Sequence, residues 1–582
     1  MVLSQNKKKP LNTQLPESHF DVYFFSDLKL QLRDLGRVKI SGSYSLFRGS
    51  FKLIAVITLA TALNSCQSPS PPLANVFHYN QHGGLKSLDP AFARDQASIW
   101  ACNQLYNGVV QLDSQLHIVP AIASSWEISN DGKTYTFHLR NDVRFHHDPC
   151  FKGSTRTVTA TDVVYSWNRI LQTKTASPGS WIFNGRLDSI QPFATPDSLT
   201  VVVHLARPFP PMLGIFTMPY CNVVPHEAIE YYGADFRSHP VGTGPFQFKT
   251  WKEGVALVLV KNPHYFETDE NGNPLPKIDG VRVSFINSKK AEFLSFKKGE
   301  LDFVSGLDAA YIDEVLDDRG ELVPALRNAF RLTKAPYLNT EYYGFNLAMA
   351  SPWKDKKLRQ AVNFAINRRE LLQYIRKGIG TPAEQGFTPP GLPSFDASIK
   401  GYNYQPQRAM ELLAAAGFPN GKGLQELSLY TNETYKEMAL SVCKQLEKIG
   451  LNVRVEINQD ALLREWMTGG KTPFFRGSWI ADYPDAESYF TVFYGKNGAP
   501  PNYTRFHNQR YDSIYEQALQ VSNDSVRYEL YHQLENIIID EAPVIPLYYD
   551  VVLRFTSNRV HGLPVNGLNL LDVKRVTLNE TP

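Results

Sequence analysis

The alternation of helical and strand patterns between residues 340 and 550 is the feature that most constrains the fold. Apolar residues recur every three or four positions in two segments, as on the buried face of a helix. They are Leu358, Ala361, Val362, Ala365 and Ile366, and then Ala409, Leu412, Leu413 and Ala416. A strand pattern follows at 427–431, a helix pattern at 434–448 and an alternating strand at 451–457. This order predicts an α/β lobe in which helices flank a sheet.

The segment 107–237 differs, because alternation with a period of two is its strongest signal. Residues 134–140 and 199–205 alternate apolar and polar side chains, and a turn pattern precedes the first of them. A helix pattern covers 162–171. We therefore predict a mostly β subdomain with a few helices.

An apolar run at 53–63 is too short to span a bilayer but has the length of the apolar core of a signal peptide. Arg48 and Lys52 precede the run, and Leu-Asn-Ser-Cys follows it, ending at Cys66. This arrangement resembles a bacterial lipobox and predicts a leader at 1–65, a lipidated Cys66 and a flexible tether at 66–75. An ordinary cleavable signal or a buried helix are the alternatives. Residues 1–47 are either an extended amino-terminal region or lie ahead of the true start.

The charge balance argues against nucleic acid as a partner. Residues 1–65 hold nine of the 60 Lys and Arg residues and four of the 57 Asp and Glu residues. The chain from Cys66 onward therefore carries a net charge of −2 and is not basic.

Four cysteines remain when Cys66 is set aside, and their spacing matches no metal site. They are Cys102, Cys150, Cys221 and Cys443. Cys443 lies on the apolar face of a predicted helix, which favours an inert core thiol. Export would permit a disulfide among the other three, and Cys150 with Cys221 is the favoured pair.

Two further motifs could be taken for ligand sites. His146, His147 and Asp148 are adjacent, but neighbouring side chains of a strand point to opposite faces, which favours a surface turn over a metal site. The glycine-rich segment 240–246 lacks the Lys and Ser or Thr of a phosphate loop. We interpret it as a connection that returns the chain to the first domain.

The segment 474–485 is the candidate binding site. It reads as a short strand ending in a turn at 483–485, with Arg476, Trp479 and Asp482 close together. A carboxylate can take an ammonium group, a guanidinium can fork onto a carboxylate, and an indole can cover the apolar body between them. The three residue types therefore suit a zwitterion. The alternative is an ordinary strand end whose charges are solvated or paired with each other.

Several short sequence motifs, in order along the chain, resemble motifs of the family 5 extracellular solute-binding proteins. These proteins are the oligopeptide-, dipeptide- and nickel-binding components of ABC importers. The motifs are Ser-Leu-Asp-Pro (87–90), Leu-Tyr-Asn-Gly-Val-Val (105–110), Ala-Ser-Ser-Trp-Glu (123–127), Asp-Gly-Lys-Thr-Tyr-Thr-Phe-His-Leu-Arg (131–140), Val-Arg-Phe-His (143–146) and Thr-Ala-Thr-Asp-Val-Val-Tyr-Ser-Trp (159–167). The resemblance extends over about 75–578.

This resemblance implies a two-lobed α/β fold of the type II periplasmic binding proteins, the Venus-flytrap fold, with an additional mostly β subdomain. Lobe I would comprise 76–106, 238–337 and 552–582, the β-rich subdomain 107–237, and lobe II 338–551. Hinge closure is expected across two crossovers near Val241 and Asn339.

The resemblance also assigns roles within the candidate site. In peptide-binding relatives, the aspartate of a Trp-x-Ala-Asp-Tyr stretch pairs with the α-ammonium of the ligand. Asp482 is that aspartate here, with Trp479 and Tyr483 beside it, and Arg476 would meet the carboxy end.

The strand containing Tyr342, Tyr343 and Gly344 would pair with the peptide main chain. Three departures from the family pattern bear on peptide length. Arg94 stands where oligopeptide binders have a glutamate, Gly344 replaces a second glutamate, and Tyr435 lies near the position of a carboxylate-binding histidine.

We therefore expect a lipid-anchored receptor, in the periplasm or on the outer face of the cell membrane, that passes oligopeptides or dipeptides to the permease subunits of an ABC transporter. A monomer without cofactor, metal or nucleic acid is expected. A receptor for a non-peptide solute, such as a nickel chelate, haem or a sugar, is the alternative. A secreted hydrolase is a remote one, because the Gly-x-Ser-x-Gly and His-Glu-x-x-His motifs are missing from the sequence.

Overall fold

The computed structural model describes residues 75–307 and 309–579. The predicted leader and the lipidation site at Cys66 lie outside these residues. Within the described part, no helix has both the length and the apolar character needed to cross a membrane.

The strands and helices follow each other along the chain in a mixed order. The strands are β1 (Val76–Asn80), β2 (Val110–Leu112), β3 (Ile118–Pro120), β4 (Ala123–Ile128), β5 (Thr134–Leu139), β6 (Phe193–Asp197), β7 (Thr200–His204), β8 (Phe246–Lys252), β9 (Ala256–Lys261), β10 (Gly280–Ser284), β11 (Phe303–Ser305), β12 (Phe330–Phe345), β13 (Thr381–Pro382), β14 (Leu427–Thr431), β15 (Val453–Ile457), β16 (Phe474–Ile480), β17 (Val544–Ser557), β18 (Val560–His561) and β19 (Thr577–Leu578). The helices are α1 (Gln96–Leu105), α2 (Ala160–Leu171), α3 (Met212–Ile215), α4 (His226–Tyr232), α5 (Lys289–Lys297), α6 (Ala309–Val315), α7 (Lys356–Ala365), α8 (Arg368–Ile375), α9 (Pro406–Ala415), α10 (Lys436–Glu447), α11 (Asp460–Thr468), α12 (Glu487–Phe490), α13 (Gln509–Ala518) and α14 (Asp524–Glu541). Short 3-10 turns connect several of them.

One large mixed sheet runs through the molecule in the order β15-β14-β16-β12-β17-β11-β1-β10-β9-β8, with β13 attached to β17. The α/β alternation predicted from the sequence is confirmed in its carboxy-terminal half. Helices α7 and α10 pack their apolar faces on the strands there, through buried residues such as Leu358, Val362 and Val442. The helix α7 begins where Asp355 accepts a hydrogen bond from the N–H of Leu358 (3.0 Å).

Strands β12 and β17 connect the two halves of this sheet. The first part of β12 pairs with 551–557 and the second part with 544–549, and the register shifts between Pro336 and Thr340. Residues 337–339 therefore lie opposite Asp550 alone, as in a β-bulge. The irregularity coincides with the predicted boundary between the lobes near Asn339. The chain crosses between the halves of the sheet a second time in β17, whereas Val241 lies in the segment that leads into β8. The position of the hinge remains a prediction.

The predicted mostly β subdomain contains a separate four-stranded sheet in the order β4-β5-β7-β6. Helix α2 covers it, and the indole of Trp167 stacks on the ring of Phe216, with 4.8 Å between ring centroids. These side chains belong to a core of their own, which explains why a period of two dominates this segment of the sequence.

The segment 240–246 crosses the end of helix α1 at close range. A Cβ atom at Gly242 would lie 2.1 Å from the carbonyl oxygen of Leu105, so the glycines permit backbone contact and no phosphate site is needed to explain them. The ring of His146 is buried here and donates from Nε2 to the carbonyl of Gly244 (2.9 Å). Burial lowers the pKa of His146 to about 4. The prediction of a surface turn is therefore wrong for His146.

The four described cysteines are free and buried: Cys102, Cys150, Cys221 and Cys443. The disulfide predicted between Cys150 and Cys221 is not formed, and the four thiols pack among core side chains instead. Cys443 lies in the core of the carboxy-terminal half, as expected.

Candidate functional site

Strand β16 positions the candidate site. It lies between β14 and β12, and its first residues are buried aromatic side chains that fix it in the sheet. Towards its end, Arg476, Ser478 and Trp479 are only partly buried, and Asp482 follows two residues after the strand ends. The predicted strand and turn are therefore present, with Arg476 inside the strand and Asp482 in the segment that follows it.

Arg476 is paired with a carboxylate of the protein. Its Nε donates to Oε2 of Glu341 (3.0 Å), and its Nη2 donates to Oε1 (2.7 Å). The side chains are 14% and 3% exposed, so this is a buried ion pair. The ring of Tyr435 lies flat on the guanidinium, with its centroid 3.5 Å from Cζ. Tyr435 and Arg476 therefore lie together, and Glu341 pairs with the guanidinium that was expected to bind a ligand carboxylate.

A second ion pair extends this network towards the bulge. Arg376 donates to Asp550 (2.6 Å) and lies over the ring of Tyr548. The amide of Asn339 lies 3.4 Å from Glu341 and 3.5 Å from Asp550 and links the two pairs. Burial raises the pKa of Glu341, and the charge of Arg476 opposes that shift. Two guanidinium groups thus balance two carboxylates where β12 and β17 connect the halves of the sheet.

Asp482 is in a different situation. Its backbone N–H donates to the hydroxyl of Ser488 (3.2 Å), and the indole of Trp479 donates to the Ser488 carbonyl (2.6 Å). These bonds hold the turn, but across residues 75–307 and 309–579 no basic side chain forms a salt bridge with the Asp482 carboxylate. The Asp482 side chain is exposed along a cleft, and the protein groups that line this cleft desolvate its carboxylate. This desolvation raises its pKa to about 7, the charge of Glu487 adds to the shift, and Arg186 opposes it.

The cleft beside Asp482 has a volume of about 600 Å³ and lies between the β-rich subdomain and the carboxy-terminal half. Its walls include Trp181, Arg186 and Phe209 on one side and Trp479, Asp482 and Tyr494 on the other. A second cavity of about 280 Å³ adjoins Asp482 and brings in Arg94, Tyr220 and Tyr337. Aromatic walls with a few polar groups are typical of small-ligand sites.

Tyr483 borders the cleft, but its hydroxyl group is already hydrogen-bonded within the protein. Its hydroxyl donates to the buried carboxylate of Glu487, to which the hydroxyl of Tyr515 also donates. Its side chain packs against Gly214 of the subdomain, where an added Cβ would lie 3.4 Å away. Tyr483 therefore contributes a contact across the cleft.

The structure does not support the predicted pairing of a peptide with the strand at 342–344. Both edges of β12 are occupied there, by β16 and by β17. The side chains of Tyr342 and Tyr343 are buried in cores on the two faces of the sheet. A Cβ at Gly344 would lie 2.6 Å from the ring of Phe475, so this glycine makes room for an aromatic side chain.

Sequence reasoning missed two charged residues of the site. Glu341 is the only charged residue between 337 and 345, and the β12–β16 register places it diagonally across from Arg476. A single charged residue in an otherwise uncharged strand segment indicates that a partner charge lies nearby. Arg186 lies in a loop after a 3-10 turn, and nothing in the local pattern marks it.

One group of possible metal ligands occurs among the described residues: Asp162, His226 and Glu227. The guanidinium of Arg156 lies between its carboxylates and donates to Asp162 (2.7 Å) and Glu227 (2.6 Å). A cation of the protein already neutralises this cluster, so the arrangement supports a structural role.

Comparison with known proteins places the chain in a family. The family model for bacterial extracellular solute-binding proteins, family 5 Middle, matches residues 117–501. The chain is 28% identical over 548 residues to heme-binding protein A of Haemophilus influenzae, covering 88% of this chain and 96% of that protein. It is 27% identical over 505 residues to the periplasmic murein peptide-binding protein MppA of Escherichia coli, covering 83% and 89%.

The solved structure of the periplasmic binding protein DppA from Helicobacter pylori, in complex with the peptide STSA, resembles this chain with a TM-score of 0.72 at 25% identity. The likeness covers 87% of this chain and 98% of that one. The predicted α/β fold of the type II periplasmic binding proteins is confirmed. The chain belongs to the bacterial extracellular solute-binding proteins of family 5.

Proposed function

We propose that this protein is the periplasmic solute receptor of an ABC-type importer, and that it captures a peptide between its two lobes and delivers it to the permease. Membership of the family supports a binding role and not a catalytic one. The names of MppA and DppA, both peptide binders, support a peptide as the solute.

The observation that carries the proposal is the carboxylate of Asp482, which faces the cleft and forms no salt bridge with any basic side chain of the described residues. Enclosing an α-ammonium group removes its water, and an unpaired buried ammonium costs several kcal/mol. Asp482 offsets that cost through a charge-assisted hydrogen bond. Trp479 and Phe209 line the same cleft and exclude water from the contact.

A non-peptide solute is the second candidate, and one observation favours it. Nε and Nη2 of Arg476 already donate to Glu341. This pair of donors is therefore not available to the carboxylate of a peptide. Heme-binding protein A belongs to the same group of relatives. A peptide held mainly by its amino end is compatible with the same arrangement, which is why we place the peptide first.

Mass spectrometry of the solute that co-purifies with natively released protein tests this proposal. We expect peptides with a free amino terminus. A haem, a sugar or a metal chelate at stoichiometric amounts would overturn the peptide assignment in favour of the second candidate.

We further propose that the mature protein is a monomer anchored by lipid at Cys66. The support is the sequence pattern that ends at this residue. Replacing Cys66 with Ala should move the protein from the membrane fraction to the soluble fraction. A variant that stays in the membrane fraction would contradict the anchor, and sedimentation of the released form should give one chain per particle.

A further inference from the structure

Arg186 reaches into the cleft from the wall formed by the β-rich subdomain, in the cavity that Asp482 also lines. Its Nη1 donates to the carbonyl oxygens of Trp181 (2.8 Å) and Ile182 (3.1 Å). Its guanidinium carbon lies 4.6 Å from the centroid of the Phe209 ring. Two carbonyl groups and an aromatic face therefore hold this guanidinium in place.

Within residues 75–307 and 309–579, the remaining donors of Arg186 have no acceptor. None of the described residues accepts a hydrogen bond from its Nε or Nη2, and none of their carboxylates forms a salt bridge with it. Its charge nevertheless acts on Asp482 in the cleft and on the buried Glu487, because it opposes the upward shift in the pKa of both carboxyl groups. The guanidinium is thus oriented, charged and without an anionic partner.

Three other partly buried arginines do have such partners, whereas Arg505 is held by carbonyl groups only. Arg156 forks onto Asp162 and Glu227, Arg169 onto Asp89, and Arg476 onto Glu341. The two parallel N–H donors of a guanidinium match a carboxylate in shape and charge. The unused donors of Arg186 therefore indicate that a carboxylate from outside the protein binds there.

We propose that Arg186 binds a carboxylate of the ligand while Asp482 binds its ammonium group. This inference rests on the proposed peptide function and deepens it. Two sources supply the same chemistry: the terminal carboxylate of a short peptide, or an acidic side chain close to the amino end. In either case the cleft takes an amine and a carboxylate on opposite walls, and Arg186 replaces Arg476 as the anion-binding residue.

Titration calorimetry with four peptides separates the two sources. Ala-Ala is compared with its amide, and Ala-Glu-amide with Ala-Gln-amide, on the wild type, on Arg186→Gln and on Arg186→Lys. Arg140→Gln is the matched control, because Arg140 lies in the same subdomain and pairs with Asp142 (2.8 Å) away from the cleft.

We expect the wild type to prefer the anionic member of at least one pair by about tenfold or more, and the pair that shows the preference identifies the source. The preference should fall to within about twofold in Arg186→Gln, return in large part in Arg186→Lys, and be unchanged in Arg140→Gln. Peptides that bind without such a preference, or a preference that survives in Arg186→Gln, would overturn the role of Arg186 alone. Wild-type protein that binds none of the four would overturn the peptide function and, with it, this inference.

Discussion

Arg476 and Asp482 lie six positions apart on the same strand and turn, yet only the charge of Arg476 is paired within the described protein. Arg476 is enclosed with Glu341 under the ring of Tyr435, and the pair is complete without any ligand. Asp482 opens into the cleft, and no basic side chain of the described chain forms a salt bridge with it. Two charges of one strand and its turn can therefore serve different purposes: the paired one links β16 to β12, and the other is the one that we propose binds the solute.

The largest effect should come from breaking the completed pair. Glu341→Ala leaves Arg476 buried without its counter-charge, which we expect to lower the free energy of unfolding by about 3–5 kcal/mol. Urea denaturation measures this loss. Asp142→Ala is the matched control: it removes an exposed pair with Arg140, where a change of at most about 1 kcal/mol is expected. Equal losses in the two variants would contradict the structural role of Glu341.

The affinity for a peptide should depend on pH through the ionisation of Asp482. The pKa of Asp482 is raised to about 7, so below that pH its carboxyl group is protonated and must lose the proton before it can pair with an ammonium. We expect affinity to fall by up to about 100-fold between pH 7.5 and pH 5, about tenfold for each unit. Calorimetry at several pH values measures it, and Asp482→Asn should abolish the dependence. A flat profile in the wild type would contradict the assignment.

Replacing both members of the completed pair should have a small effect on binding. The double variant Glu341→Leu with Arg476→Met removes two charges that satisfy each other, so it should regain most of the stability lost in Glu341→Ala. Its affinity for a peptide should stay within about fivefold of the wild type, because neither charge is free for the ligand. A loss as large as that of an Asp482 variant would mean that Arg476 contacts the ligand after all.

The smallest signal is the change of shape on binding. We expect the lobes to close about the bulge of β12 at 337–339 and the facing part of β17, which decreases the radius of gyration. Small-angle scattering with and without saturating peptide measures this change. A radius that does not move with ligand would contradict closure at the bulge.

The periodic parts of the fold were predictable from the sequence. The apolar faces of α7 and α9 and the alternation in β5 and β15 depend on neighbouring residues only, and those elements were placed correctly. Pairing between distant strands was not: Glu341 and Arg476 are 135 positions apart, and only the register of β12 against β16 brings them together. The order of the strands across the sheet was equally hidden.

The sequence does not show which distant strands pair, and this also explains why the strand of Tyr342 and Tyr343 was predicted to pair with a peptide. An aromatic strand near a cleft was expected to offer an edge to a peptide, but a strand in the middle of a sheet has no free edge and buries both faces. Arg186 was missed for a related reason, because only the folded arrangement brings its loop opposite Asp482.

The most direct test of the central claim is titration calorimetry of wild type and Asp482→Ala with one peptide in its free and its N-acetylated form. Loss of either charge should leave the other enclosed and unpaired, so Asp482→Ala should weaken binding of the free peptide by about 2–5 kcal/mol, or about 30- to several-thousand-fold. The acetylated peptide, which lacks the ammonium group, should bind wild type poorly and lose little more in the variant. Equal affinities in all four combinations would contradict the claim that Asp482 holds the amino end of a peptide.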